Sequence, residues 1–421
     1  MPGYFESRPA LRPLAHRDYR LLLAGSVLVG ILTPFHLMTQ VFWVNSEFPE
    51  RAVVYSGVLA ASRGAAMVLF SLIGGAIADR VERRRVLLVC ETLSLGAHAV
   101  IAFLMLAQPF GEATVAAVAV WTFLAAGVQS IDSPARSASI PAAAGRDNVP
   151  AAIALTSIAG QLTMPLSLPL VGLLNGVMPS GAVYAGSLLA WVGILPLIAM
   201  LRFQSRGGAT AVSMVANIKT GLRYARGRRP ILATLAIVAV VQVLGMPVAT
   251  PLGPMFEIEV LGFTAPQVGL MAATWGLGSL TASVGLARAR GLTLRGSTLV
   301  TVSLLFGVAA LGFGYSRFIP LTAVSDYGMG FAFTATMLVA GTLVQHLVDD
   351  SVRGRVLSLF PFTLGLAQVG TAIAGLVGQQ TGLDVLLPAL GWMELAGCVV
   401  LILVFRELVG ARANLPRVEA A

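Results

Sequence analysis

The chain has 421 residues, 57% of them hydrophobic and only 11% charged, with a mean hydropathy of +0.84. Soluble domains carry about 25% charged residues, so this composition excludes a soluble globular protein and predicts an all-α membrane protein. The net charge of +9 would otherwise suggest nucleic acid. Yet only Arg51, Arg63 and Arg317 among the basic residues fall outside segments expected in the cytoplasm. That is the positive-inside pattern, and it leaves no role for a nucleic-acid partner.

At about 20 apolar residues per span, the length accommodates about twelve helices. The first six are expected at 21–44, 52–78, 86–107, 113–135, 149–177 and 181–202. The second six are expected at 231–257, 264–287, 297–315, 318–346, 355–378 and 383–405. The polar, Arg-rich N-terminus lacks a small-residue cleavage site, so no removable leader is expected. The connection 203–230 carries Arg206, Lys219, Arg223, Arg226, Arg228 and Arg229, and it separates an N-terminal bundle, 1–202, from a C-terminal bundle, 231–421. Val215, Ile218 and Leu222 predict an amphipathic surface helix in that connection. Both termini then lie in the cytoplasm. Cys90 and Cys398 fall inside spans, so no disulfide framework is implied. The dominance of arginine over lysine fits a bacterium of high GC content.

A P-loop needs Gly-Lys-Ser/Thr, and the single lysine, Lys219, follows Ile218, so no fused ATPase is present. The four histidines, His16, His36, His98 and His346, are too scattered for a metal cluster, and no cofactor is expected. An ionisable residue within a span is costly and is therefore a functional candidate. His36, Arg63, His98, Asp326 and Glu394 are such residues. At 1.5 Å per residue, His36 and Arg63 each lie ~24 Å from the inner face and Asp326 ~13 Å from the outer face. Glu91, close behind Arg85, is expected at the membrane interface. Pro34, Pro165, Pro169, Pro247, Pro251 and Pro254 are expected to interrupt spans one, five and seven.

Between the second and third spans runs Gly74-Gly75-Ala76-Ile77-Ala78-Asp79-Arg80-Val81-Glu82-Arg83-Arg84-Arg85. It resembles motif A of the major facilitator superfamily: glycine, three residues, Asp-Arg, one residue, then Gly-Arg-Arg/Lys. Gly75, Asp79, Arg80, Arg83 and Arg84 match, while Glu82 stands where the pattern has glycine. Asp132-Ser133-Pro134-Ala135-Arg136 and the stretch from Gln345 to Val356 resemble the exporter branch that holds enterobactin-type siderophore exporters and multidrug efflux proteins. The resemblance implies a twelve-helix, 6+6 pseudo-symmetric major facilitator fold in the bacterial inner membrane, working as a monomer by alternating access.

What the resemblance implies for sites is specific. Asp79 would latch the inner gate by capping the start of span eleven near Val352 to Arg355, with Arg136, Arg83, Arg353 and Arg355 as partners. Spans one, four, seven and ten would line the cavity, which favours Asp326 as proton carrier, or else as a carboxyl that only bonds its own bundle. His36 would be a satisfied polar residue or a substrate contact. Arg63 would be an anion site or half of a structural pair, and it inclines the substrate towards an anionic group. Glu394 and His98 fall on spans expected to be peripheral. No acid follows Asp18 in the first span, which weakens a cationic-drug reading. The expected activity is export of a small amphipathic molecule, drug-like or a siderophore, in exchange for protons. An importer of the same fold, a non-transporting receptor or scaffold, and a membrane-embedded enzyme are the alternatives.

Overall fold

The computed structural model describes residues 9–78, 81–203, 214–289, 291–357 and 359–411. The chain resolves into two compact units, one of residues 1–212 with 257–273 and the other of 213–256 with 274–421. Among the described residues there is no strand, and eleven helical segments are long and apolar enough to cross a membrane. A further helix at Leu359–Thr381 covers the remaining expected span. The outward surface confirms the solvent: Val177, Val192 and Leu189 stand 79%, 73% and 73% exposed, which water would penalise and lipid does not.

In the first unit the helices are α1 (Arg17–Glu47), α2 (Ala52–Ala78), α3 (Arg83–Ala107), α4 (Thr114–Ala144), α5 (Val149–Val177), α6 (Ser180–Ser187) and α7 (Ala190–Ala199). α1 packs on α5, and α4 on both α2 and α3. The α2–α4 approach is close because Phe70 lies over Gly127, where an added β-carbon would sit 2.7 Å from its ring. Tyr19, Leu87, Trp191 and Ile194 anchor a core at one end of the unit, and the Tyr19 hydroxyl donates to the Ala152 carbonyl at 2.8 Å.

Two elements differ from the sequence expectation. α4 runs on to Ala144 instead of stopping at 135, because Arg136 is neutralised inside the unit. The sixth span, Ser180–Ala199, tightens at Leu188 and Leu189 between α6 and α7, where the backbone stays right-handed helical. There the Ser187 hydroxyl donates to the Tyr184 carbonyl at 2.6 Å, competing with the backbone ladder. The helices also continue through Pro34, Pro165 and Pro169: each proline removes one backbone donor without ending its helix.

The second unit opens with the amphipathic α8 (Met214–Arg226), continues with α9 (Arg229–Val240), and then takes a π-turn at Val241–Gly245. Next come α10 (Met246–Ala249), α11 (Leu252–Glu259), α12 (Ala265–Arg288), α13 (Gly296–Gly314), α14 (Ile319–Leu347), α15 (Asp350–Leu357), α16 (Leu359–Thr381), α17 (Leu383–Val404) and α18 (Glu407–Gly410). Part of α11 and the start of α12 group with the first unit. The seventh span thus breaks at Thr250, which is extended ahead of Pro251 as the residue before a proline prefers. The π-turn points Gln242 at Thr363, to whose hydroxyl it donates at 2.9 Å.

Candidate functional site

The first unit carries a partly open cavity of about 40 Å³, lined by residues of five helices, most of them polar. One wall is an ion triad. Arg136 on α4 donates through Nε to Asp132 Oδ2 at 2.9 Å, one turn earlier on the same helix. Its Nη2 reaches Glu91 Oε1 on α3 at 2.6 Å and Asp132 Oδ1 at 3.3 Å. The other Glu91 oxygen accepts from Trp191 Nε1 at 2.9 Å. All three charged residues are buried, Glu91 to 3% exposure. Glu91 is thus held inside the unit by the Arg136 guanidinium and the Trp191 indole.

Trp191 joins the triad to a stack of rings. His36 on α1 and His98 on α3 lie with ring centroids 4.1 Å apart, and Trp191 stacks parallel to His36 at 5.9 Å. His98 Nδ1 meets the Tyr184 hydroxyl at 2.7 Å. His36 Nε2 meets Ser187 Oγ at 2.8 Å. Because Ser187 spends its own proton on the Tyr184 carbonyl, His36 Nε2 is the donor in that bond, which fixes its tautomer. Arg63 on α2 lines the same cavity, with Gln40, Thr122 and Gln129. His98, expected on a peripheral span, thus belongs to the same cluster as His36 and Arg63.

In the second unit Asp326 on α14 is 7% exposed and accepts from Thr274 Oγ1 on α12 at 3.2 Å. No cation pairs with it among the described residues. Glu394 on α17 is fully buried. One oxygen accepts from Cys398 Sγ at 3.3 Å, and the other faces Gly307 without a hydrogen-bond partner.

For the gate motif, Gly75 sits in α2, whereas Asp79 and Arg80 lie outside the described residues. Arg83 donates to the Ala138 carbonyl at 2.6 Å, and Arg84 to the Ala199 carbonyl at 2.5 Å. Both thereby tie the start of α3 to helices of its own unit. Glu82 has φ −57°, a backbone open to any residue, and pairs with Arg85 at 3.0 Å, so the missing glycine costs this turn nothing. Arg353 donates to the Val348 carbonyl at 3.4 Å, and Arg355 lies in α15. Arg136, the other expected gate partner, is engaged by Glu91 and Asp132.

A family model described as transmembrane secretion effector, of the major facilitator type, matches residues 9–421. The chain belongs to that family. Among characterised proteins it is similar to the multidrug efflux pump Tap of Mycolicibacterium fortuitum, 26% identical over 353 residues, which is 80% of this chain and 84% of that protein. Among solved structures it shares its fold with the nucleoside transporter NupG, at TM-score 0.72 and 16% identity over 93% of this chain and 99% of that one. It also shares it with a peptide transporter of the POT family, at TM-score 0.74 and 13% identity over 95% of this chain and 96% of that one. A member of this family is a multi-pass membrane transporter, not an enzyme.

Proposed function

We propose that the chain exports a small amphipathic molecule, drug-like or a secondary metabolite such as a siderophore, across the bacterial inner membrane in exchange for protons. The observation that carries this reading is the full-length family match together with the likeness to an efflux pump. In this account the protein is a monomer of twelve helices in a 6+6 arrangement, split by the 203–230 connection, with both termini in the cytoplasm. Asp79, held with Gly75, Arg80, Arg83 and Arg84, latches the inner gate against Arg353 and Arg355. Asp326 carries the proton, a role supported by a buried carboxyl with a hydroxyl neighbour and no cation beside it among the described residues. Glu394, more deeply buried, and His36, held by Ser187, are the next candidates.

Everted membrane vesicles from cells expressing the protein test the direction. Energised vesicles should accumulate a fluorescent amphipathic dye, and collapse of the proton gradient should release it. Accumulation that ignores the gradient would remove antiport. Uptake by intact cells in place of extrusion would make the chain an importer.

A further inference from the structure

Arg63 stands in the middle of a span, and an arginine there is expensive unless something offsets its charge. It cannot shed its proton, and it carries five N–H donors. Among the described residues it makes no hydrogen bond and no ion pair. The two acids on the cavity wall do not serve it: each oxygen of Glu91 and Asp132 is engaged by Arg136 or Trp191. His36 turns its N–H to Ser187.

The rest of the lining also has donors to spare. Thr122 Oγ1 accepts from Gln40 at 2.9 Å and keeps its own proton. Gln129 spends one amide proton on Thr33 at 2.7 Å and keeps the other. A volume of about 40 Å³ holds two or three water-sized groups, far below the ~300 Å³ of a drug pocket. Val29, Thr33, Gln129 and Asp132 also line a second pocket of about 200 Å³ in the same unit. The Gln129–Thr33 hydrogen bond therefore sits in the partition between the two spaces.

We propose that this cavity of the first unit is an anion site, in which Arg63, with Thr122 and Gln129, holds one compact monoanion. The anion is either a free halide or the carboxylate end of a larger molecule whose apolar body occupies the adjoining pocket. It gives an acceptor to the guanidinium, whose N–H donors no residue of the wall engages. The carboxylate version rests on the export reading, since the larger molecule would be the cargo; the halide version does not.

The test is chloride-35 line broadening on the purified full-length protein in detergent, with sodium gluconate keeping ionic strength constant. Wild type should show excess broadening that saturates with chloride and is displaced by acetate. Arg63→Gln should weaken it about thirtyfold or more, as expected when one partner of a buried charge contact is truncated, and Arg63→Lys should retain most of it. If Arg63→Gln does not fold, Thr122→Val and Gln129→Leu supply the readout, each weakening chloride several-fold. Displacement by 3-phenylpropionate at a concentration at least about tenfold below that of acetate would identify the carboxylate of a larger molecule. Equal or weaker displacement would identify the halide. No excess broadening, or broadening unchanged in Arg63→Gln and in the two lining variants, overturns the proposal. No gradient or transported substrate enters this measurement, so failure of the export reading would leave its result standing.

Discussion

Replacing Arg136 by leucine tests how the first unit is held together. The guanidinium is 8% exposed and makes three hydrogen bonds, to Glu91 and Asp132. Removing it leaves two carboxylates facing each other inside the protein without a cation. Breaking a buried pair from one side costs about 3–5 kcal/mol, most of it the stranded charge and not the lost attraction. The surface pair Arg51–Glu112 has side chains 62% and 50% exposed, so its loss should cost far less than that of the buried one. The triple variant Arg136→Leu/Asp132→Leu/Glu91→Gln removes all the charges while leaving Trp191 an acceptor. It should recover most of the loss, ending within about 2 kcal/mol of wild type, because replacing a buried ion cluster by apolar groups is often neutral. Equilibrium unfolding in mixed micelles, followed by tryptophan fluorescence, measures all three. If Arg136→Leu costs no more than Arg51→Ala, or the triple variant is as unstable as the single one, the triad is not a mutually dependent unit.

Other outcomes follow from the same geometry. A β-carbon on Gly172 would stand 2.8 Å from the Gly269 α-carbon, so Gly172→Leu should destabilise the first unit by about 1–3 kcal/mol or more, as overpacking does, seen as a lower unfolding midpoint. Gly145 has φ +79°, a conformation that side chains resist, and Gly145→Ala should cost about 1–3 kcal/mol in the same assay. Ser187→Ala removes the acceptor of His36 Nε2, leaving a buried donor unpaired at about 1–3 kcal/mol, and it should change the imidazole resonances of His36 and His98 in NMR spectra. Asp79→Asn should shift the inner gate towards opening, detected as faster cysteine labelling from the cytoplasmic side; unchanged labelling would remove the latch.

Much of the helical layout was legible because apolar runs of span length carry a strong signal. α2 and α5 match the expected 52–78 and 149–177. The misreadings have physical causes. Arg136 looked like a membrane boundary, so the fourth span was stopped at 135; an arginine stays inside when acids meet it, and Asp132, four residues earlier, already lay on its helix face. Glu91 was placed by its distance from the arginines, and distance along one helix does not reveal Arg136 and Trp191, the partners that other helices bring. The His36–His98 stack joins residues from two spans, and no local pattern announces it. The tightened turn between α6 and α7 carries the Ser187–Tyr184 hydrogen bond, which hydropathy does not register. Asp326 stood out as a buried charge and Arg63 as a partly buried one, since cost in lipid is a property of the residue and its place in a span.

The account rests most directly on proton exchange. Purified protein in proteoliposomes, with a pH-sensitive dye and a panel of amphipathic substrates, compares wild type with Asp326→Asn. The account predicts substrate-driven proton movement in wild type and its loss in the variant, with substrate binding retained. Proton movement unchanged in Asp326→Asn would take the carrier role from Asp326, and substrate crossing with no proton movement in wild type would contradict antiport itself.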